Sequence, residues 1–186
     1  MRGPSKINRI RIIGGTHRSR IVTFPDAEGL RPTPDRVRET LFNWLGQDLT
    51  GKRCLDLYAG SGALGMESAS RGASEVVMVE KNRAVFSILQ ENIKILNFNN
   101  IALRNEDGLN FARRQNELFD VIFLDPPFQS DYLGRLLPLL ANQLSPQGFL
   151  YVESATQLEA TEPWEFIKQS RAGAVHYQLL QLKQYD

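Results

Sequence analysis

The hydrophobic residues after residue 52 alternate between two kinds of pattern. Short runs rich in β-branched and aromatic residues predict strands, and longer stretches with apolar residues three or four positions apart predict helices. The predicted strands are 53–58, 75–80, 101–104, 119–124 and 149–152, and the predicted helices are 63–71, 82–97, 109–114 and 131–144. This alternation predicts an α/β fold with a mostly parallel sheet that helices cover on both faces.

The two ends of the chain have a different pattern. Near the start, the sequence predicts two short strands joined by a glycine-rich basic turn, then a loop and a helix, at 9–15, 20–24, 25–34 and 35–45. Near the end, residues 164–169 and 174–182 predict strands with no helix between them, which is typical of an antiparallel hairpin. We therefore expect a seven-stranded sheet that ends in this hairpin, plus a small N-terminal β-hairpin.

The distribution of charge divides the chain into two parts. Of the 186 residues 42% are hydrophobic, enough to bury the core of one domain, and the formal net charge is only +1. Residues 1–38, however, contain nine Lys or Arg and three Asp or Glu. This excess favours contact with phosphate groups, although a solvated basic arm explains it equally well. We predict a basic hairpin and loop at 1–33 and a separate domain at 34–186.

Cys54 is the one cysteine in the sequence, so neither a disulfide nor a multi-cysteine zinc site can form within the chain. It falls inside a predicted strand, and we expect a small buried side chain.

No apolar run reaches the ~18 residues that a membrane span needs, and no signal-peptide pattern is present. We expect a cytoplasmic protein with no bound metal and no membrane contact.

A glycine-rich turn follows the predicted strand at 53–58. Gly60, Gly62 and Gly65 have the G-x-G-x-x-G spacing, which lets the backbone approach a bound ligand closely. Glu80 ends the next predicted strand about 20 residues later, where an acid typically binds a ribose hydroxyl. On this spacing alone, the turn fits a dinucleotide site of the dehydrogenase type.

Acidic residues end three of the predicted strands. Asp56 precedes the glycine turn, Glu80 ends the second strand, and Asp107 follows the third, with Glu106 as a neighbour that could take its place. The Asp56 carboxylate would repel a nearby pyrophosphate. Successive carboxylates instead suit a positively charged ligand with many hydrogen-bond donors. S-adenosylmethionine, with its amino group, sulfonium, ribose hydroxyls and adenine amine, is such a ligand.

The strand at 119–124 ends in the tetrapeptide Asp125-Pro126-Pro127-Phe128. In open α/β sheets the carboxyl ends of the strands form the ligand site. The Asp125 carboxylate and the Pro126 carbonyl can each accept a hydrogen bond from a planar amine, which draws the nitrogen toward tetrahedral geometry and exposes its lone pair. Phe128 can stack on a base, an interaction worth roughly 1–3 kcal/mol. The tetrapeptide thus indicates a flat acceptor that carries an amino group.

Two family resemblances rest on these motifs. The combination of D-x-x-A-G-x-G, a distal Glu and DPPF is similar to the class I S-adenosylmethionine-dependent methyltransferases, which have a Rossmann-like fold. With residues 11–15 (RIIGG) and 29–45 added, the chain resembles the RsmD family of bacterial methyltransferases over essentially its whole length. This resemblance implies methyl transfer from S-adenosylmethionine to the exocyclic N2 amine of a guanine in small-subunit (16S) ribosomal RNA, with guanine 966 as the family target.

The resemblance also implies roles for individual residues. The turn at 60–62 would hold the methionyl part of the cofactor, Glu80 the ribose hydroxyls and Asp107 the adenine amine. The implied catalytic residues are Asp125, Pro126 and Phe128. The implied cofactor site comprises Thr33, Arg36, Glu39, Asp56, Tyr58, Ala59, Gly60, Ser61, Gly62, Glu80, Lys81, Asp107 and Gly108. The implied RNA-binding residues are Arg9, Arg11, His17, Arg18, Arg20, Arg31 and Arg38.

Three other functions remain open on the sequence. The acceptor motif also fits adenine N6 in DNA or a protein amide, and the basic N-terminal segment favours nucleic acid without separating RNA from DNA. The second alternative is a nucleotide-binding module of the dehydrogenase type. The third is an RNA-binding protein that has the fold but no catalytic activity. The expected partner is small-subunit ribosomal RNA, either free or in an assembling 30S particle, and we expect the protein to be a monomer.

Overall fold

The structure, a computed structural model, describes residues 7–127, 131–159 and 161–185. Its elements in chain order are β1 (Ile7–Arg11), β2 (Ile21–Pro25), α1 (Asp35–Trp44), β3 (Arg53–Asp56), α2 (Ala63–Ser70), β4 (Glu75–Val79), α3 (Arg83–Ile95), β5 (Ile101–Arg104), α4 (Gly108–Arg114), β6 (Phe119–Leu124), α5 (Tyr132–Ala141), β7 (Leu144–Ser154), β8 (Trp164–Ala172) and β9 (Val175–Leu182).

The main sheet has seven strands in the order β5-β4-β3-β6-β7-β9-β8, and β1 pairs with β2 in a separate hairpin. The first five strands are parallel, whereas β9 is antiparallel to both β7 and β8. The predicted α/β class and both predicted hairpins are confirmed. The chain adds β4 and β5 on one side of β3 and then places β6 on the other side. Ligands of open parallel sheets bind outside the carboxyl ends of the strands at such a switch point.

Alternating residues of the parallel strands form two hydrophobic layers. On β3, Cys54 packs in the layer under α1, α2 and α3, whereas Leu55 packs in the layer under α4 and α5. Both side chains are fully buried. Because successive side chains in a strand point to opposite faces, the face of a residue at a strand end follows from its neighbours. The same rule assigns the acidic residues at the strand ends to one face.

The N-terminal hairpin is shorter than predicted and packs against the rest of the chain. β1 ends at Arg11 instead of continuing to residue 15. Residues 12–20 form the turn between β1 and β2 and contact α2, where the Thr16 N–H donates to the Ser70 carbonyl at 2.8 Å. Ile12 and Val22 belong to the same buried layer as α2 and α3. The hairpin and the sheet thus share one core, and the division at residue 33 stays a prediction.

β7 is longer, and α5 shorter, than the hydrophobic pattern predicts. The helix ends at Ala141, and β7 already begins at Leu144. Phe119 of β6 pairs with Leu144, so the ladder between the two strands fixes this early start. The sequence pattern does not indicate this early start, because Pro146 and Gly148 are residue types that are disfavoured inside strands.

Within the described ranges, none of the helices is long and apolar enough to cross a membrane.

Glu67 on α2 joins three segments through a buried ion network. Its side chain is 0% exposed and accepts the backbone N–H groups of Ile13 and Gly14 at 2.9 and 2.8 Å. The same carboxylate pairs with Arg38 of α1 at 3.3 Å and with Arg71 at 2.9 Å. Two arginines and two backbone donors therefore compensate the buried charge. This network fastens α1 and the residues after β1 to α2.

Replacing Glu67 with glutamine should destabilise the protein by about 3–5 kcal/mol, because two arginines lose their buried counter-ion. Unfolding in urea measures the loss, and hydrogen exchange at the Ile13 and Gly14 amides should become faster. Glu91→Gln, at an exposed position of α3, is the matched control and should change stability by less than about 0.5 kcal/mol. A Glu67→Gln protein as stable as this control would contradict the role of the network.

Candidate active site

Four acidic side chains lie on one face of the sheet, at the carboxyl ends of neighbouring strands. We call them the acidic edge: Asp56 of β3, Glu80 after β4, Asp125 after β6 and Glu153 of β7. The residue two positions before each acid packs in the layer under α1, α2 and α3; these residues are Cys54, Met78, Phe123 and Tyr151. Alternation along the strands therefore assigns all four carboxylates to that face.

Glu153 is the functional candidate that the sequence prediction omits. It directly follows the predicted strand at 149–152, and an acid directly after a strand is the signal that identified Asp125. In the structure Leu124 pairs with Val152, so the next residues along the two strands, Asp125 and Glu153, lie side by side. The acidic edge therefore has one more carboxylate than the motifs indicate.

Burial raises the pKa values of three acids of this edge, Asp56, Asp125 and Glu153. Asp56 is 3% exposed, and its desolvation raises its pKa to about 7, with repulsion from Glu80 and Glu153 adding to the effect and the Gly65 N–H opposing it. Burial also raises the pKa of Asp125 well above its usual range, and the neighbouring carboxylates Glu153 and Asp56 raise it further. Such an edge favours a cation or a hydrogen-bond donor over an anion.

Two of these acids hold the glycine turn in place. The Gly60 N–H donates to Glu80 Oε2 at 3.0 Å, and the Gly65 N–H donates to Asp56 Oδ2 at 2.9 Å. Gly60 and Gly62 have φ values of 53° and 83°, in the left-handed region that favours glycine. A carboxylate oxygen has two lone pairs, so the oxygens that accept these bonds can each accept a further donor from a ligand.

Asp107 and Glu106 both have partners within the protein. Asp107 Oδ1 accepts two backbone N–H groups at the start of α4, at 3.0 and 3.1 Å. Its Oδ2 lies 3.7 Å from the Nζ atom of the exposed Lys81, a distance typical of a weak surface pair. Glu106 forms an ion pair with Arg114. The assignment of the adenine amine to Asp107 stays a prediction.

Tyr58 and Gly108 pack closely beside the glycine turn. A Cβ atom on Gly108 would lie 2.8 Å from the Tyr58 ring, so this position has no room for a side chain. The Tyr58 hydroxyl is buried and has no hydrogen-bond partner within the described part of the chain. Ala59 and Ser61 are buried within the turn itself. These contacts fix the shape of the turn from the side of α4.

Residues 26–34 form a cover segment over the glycine turn. A Cβ atom on Gly60 would lie 2.9 Å from Leu30 Cδ1, so Leu30 rests directly on this glycine. At the other end of the segment, Thr33 Oγ1 donates to Glu153 Oε1 at 2.8 Å, and the Tyr151 hydroxyl donates to the same oxygen at 2.8 Å. The cover segment is thus held at both the glycine turn and the acidic edge.

Glu39, which the resemblance places in the cofactor site, lies away from the acidic edge. It is four residues beyond Asp35, where α1 begins, which corresponds to about 6 Å along the helix axis. It lines an open cavity of about 640 Å³ together with Arg18 and Arg71. Arg71 follows the end of α2, and the glycine turn precedes its start, so the cavity lies at the opposite end of α2. Arg36 is exposed in the first turn of α1.

The Asp125 carboxylate accepts no hydrogen bond from any residue that the structure describes. Pro126, which follows it, is buried, and Pro127 is exposed. Phe128, which is predicted to stack on a base, lies outside the described residues. A carboxylate without a partner in the described chain, next to Glu153, is available to an amine of a ligand.

Two of the residues predicted to bind RNA contact other residues of the protein. Arg38 is 1% exposed and donates to Glu67 and to the Arg11 and Thr33 carbonyls, so its guanidinium is not available to a phosphate. The His17 ring stacks on Phe98 with the ring centroids 4.0 Å apart, and this contact holds the turn after β1 against the end of α3. The other predicted RNA-binding residues are exposed: Arg9, Arg11, Arg18, Arg20 and Arg31.

Comparison with known proteins agrees with this geometry. The chain matches the family described as Conserved hypothetical protein 95 over residues 10–181. It is 40% identical over 178 residues to Ribosomal RNA small subunit methyltransferase D of Escherichia coli, covering 93% of this chain and 90% of that protein. The protein of the same name from Haemophilus influenzae is 39% identical over 186 residues, with 96% of each chain covered.

The solved structure of the yhhF protein from Escherichia coli has the same fold. It is 38% identical to this chain, has a TM-score of 0.86, and the match covers 96% of this chain and 100% of that one. The matched residues include the glycine turn and the whole acidic edge. Matches of this extent show that the chain belongs to the Conserved hypothetical protein 95 family, and they confirm its resemblance to the RsmD methyltransferases.

Proposed function

We propose that the chain transfers a methyl group from S-adenosylmethionine to the exocyclic N2 amine of a guanine in small-subunit ribosomal RNA, with guanine 966 as the target. The names of its relatives support methyl transfer to ribosomal RNA. The observation that carries the finer proposal is the Asp125 carboxylate, which has no partner in the described chain, lies in the acidic edge and is followed by the Pro126 carbonyl.

The glycine turn and the acidic edge fit S-adenosylmethionine. Among the described residues, no lysine or arginine pairs with Asp56 or Asp125, which suits a ligand whose ammonium and sulfonium groups are both positive. Glu80 retains lone pairs for the ribose hydroxyls, and Asp107 retains one oxygen for the adenine amine. When bound, this cofactor would supply a methyl group on a positively charged sulfur; the amine nitrogen would bond to the methyl carbon as the carbon–sulfur bond breaks, leaving S-adenosylhomocysteine as a neutral thioether.

In this proposal Asp125 and Pro126 position the acceptor amine. Each accepts one N–H of the amine, which orients the nitrogen lone pair for an in-line attack, so positioning and electrostatics supply most of the acceleration. The methylated nitrogen is cationic until it releases a proton. Asp125 is suited to hold this proton, because burial and two neighbouring carboxylates raise its pKa.

Replacing Asp125 with alanine should reduce methyl transfer at least about 100-fold, because the amine loses its acceptor, while binding of S-adenosylhomocysteine stays nearly unchanged. Transfer is measured with labelled donor on small-subunit particles, on naked 16S ribosomal RNA and on duplex DNA. Asp48→Ala, in an exposed turn before β3 at the opposite edge of the sheet, is the matched control.

Wild-type turnover in the Asp125→Ala protein would remove the role given to Asp125. Incorporation into DNA alone would overturn the ribosomal RNA substrate and favour adenine N6. Binding of NAD in place of S-adenosylhomocysteine would favour the dehydrogenase-type module.

The outer face of the N-terminal hairpin is the proposed RNA contact. Arg9 and Arg11 are exposed on this face, whereas Ile10 between them packs against the core. Arg18 and Arg20, in the turn between the strands, are exposed as well. Arginines on such a surface bind phosphates and supply affinity more than base choice. We assign this function to residues 1–33.

The substrate form that we propose is 16S ribosomal RNA in an assembling 30S particle, bound by a monomer in the cytoplasm. One chain carries both the arginine face and the acidic edge, so a single copy holds RNA backbone and presents a base to the site. The comparison of particles with naked RNA as methyl acceptors separates the two substrate forms.

Replacing Arg9 and Arg20 together with alanine should weaken RNA binding and reduce the slope of log affinity against log salt by about 1–2, because two phosphate contacts are lost. Anisotropy of a labelled RNA fragment at several salt concentrations measures the slope. Affinity for S-adenosylhomocysteine should not change. Arg113→Ala, exposed on α4 over the other face of the sheet, is the control. A double variant with the wild-type slope would exclude this face as the RNA contact.

A further inference from the structure

We infer that Glu153 is a positioning residue of the methyl-transfer site, because it fastens the cover segment to the sheet beside Asp125. The inference rests on the proposed function and deepens it. One carboxylate oxygen of Glu153 accepts a hydrogen bond from Thr33, 120 residues earlier in the chain, and this contact joins the cover segment to the end of β7.

Glu153 Oε1 accepts two hydroxyl hydrogen bonds at once. Thr33 Oγ1 and the Tyr151 hydroxyl each lie 2.8 Å from it. The three residues are 6%, 0% and 7% exposed for Thr33, Tyr151 and Glu153, so water does not compete for these bonds. Hydrogen bonds to an ionised group are roughly twice as strong as those between neutral groups. The contact therefore fixes the end of the cover segment, where α1 begins.

The contact places the cover segment at a cost to the stability of the fold. No lysine or arginine in the described chain pairs with Glu153, and burial raises its pKa, although the bonds from Thr33 and Tyr151 oppose that rise. A buried carboxylate without a cation is costly. Glu67, which is equally buried, has two arginine partners. Buried acids without a cationic partner are typical of functional sites.

Fastening the cover segment affects both halves of the site. Leu30 rests on Gly60 of the glycine turn, and Thr33 lies at the acidic edge. Asp125 is beside Glu153, because the residues that precede them are paired. Release of Thr33 would loosen the cover over the glycine turn and open space next to Asp125. A misplacement of about 1 Å can cost about 100-fold in rate.

Glu153 also acts on Asp125 through its charge. The titratable groups that face Asp125 are Glu153 from β7 and Asp56 from β3, with Tyr151 next to them. Glutamine at position 153 would keep an oxygen for Thr33 and Tyr151 but remove one negative charge, so the pKa of Asp125 would fall. Because ionised Asp125 accepts the amine, the acid limb of the kcat/KM profile of Glu153→Gln should move to lower pH.

Thr33→Val tests the contact, since it removes the hydroxyl and nearly keeps the shape. We expect kcat/KM for RNA methylation to fall about 10–100-fold, S-adenosylhomocysteine binding to weaken, and amide hydrogen exchange in residues 26–33 to become faster. Thr40→Val on α1 is the matched control, because it makes the same chemical change at a hydroxyl that donates to the Arg36 carbonyl instead. It should change each value by less than about 3-fold.

A folded Thr33→Val protein with wild-type transfer, ligand affinity and exchange would overturn the inference. So would a loss of thermal stability that changes none of these three values, because that result describes a purely structural contact. Impairment of Thr40→Val as strong as that of Thr33→Val would likewise contradict it. If the wild-type protein methylates no ribosomal RNA, the proposed function fails, whereas ligand affinity and exchange still test the contact.

Discussion

Repulsion between carboxylates at the ends of parallel strands is the constraint on which the rest of the site depends. The acidic edge places Asp56, Glu80, Asp125 and Glu153 on one face, where burial makes the negative charges of Asp56, Asp125 and Glu153 costly. Neutral donors offset part of this cost: backbone N–H groups of the glycine turn bond two of the acids, and two hydroxyls bond Glu153. The glycine turn and the cover segment are thus shaped by the carboxylates that they bond.

The same layer of the core contains an acid that is fully neutralised. Glu67 has two arginine partners and two backbone donors. Helix α2 connects it to the site, because the Gly65 N–H donates to Asp56 two residues before Glu67. The buried acid Glu67, which has a structural role, is therefore paired with cations, whereas Asp56 and Glu153 of the site are held by neutral donors. The negative charge that remains is available to a cationic methyl donor.

The sequence predicted the sheet and most of the acidic edge for a local reason. Period-two and period-3.6 patterns depend on neighbouring residues, and an acid directly after an apolar run identified Asp56, Glu80 and Asp125. Glu153 has the same signal but belongs to none of the motifs. The early start of β7 was missed because Pro146 and Gly148 interrupt its pattern, and pairing with β6 overrides that interruption.

The roles of Arg38 and His17 depend on residues far away in the chain. Arg38 pairs with Glu67, 29 residues later, and His17 stacks on Phe98. Within the basic segment, Arg38 has the same charge and side chain as an exposed arginine such as Arg9, and His17 is the direct neighbour of the exposed Arg18. Only the fold separates the residues that hold the hairpin from those that face solvent.

Proton linkage measures most directly whether the acidic edge holds a positively charged methyl donor. Calorimetry with S-adenosylmethionine, in buffers of different ionisation enthalpy between about pH 6 and 7.5, counts the protons that binding releases. Asp56, whose pKa is about 7, is partly protonated in this range, and a nearby positive charge favours its ionised form. Binding should therefore release protons and tighten as pH rises, and Asp56→Asn should reduce both effects. Proton uptake, or an affinity that does not change with pH, would contradict a cationic ligand at the acidic edge.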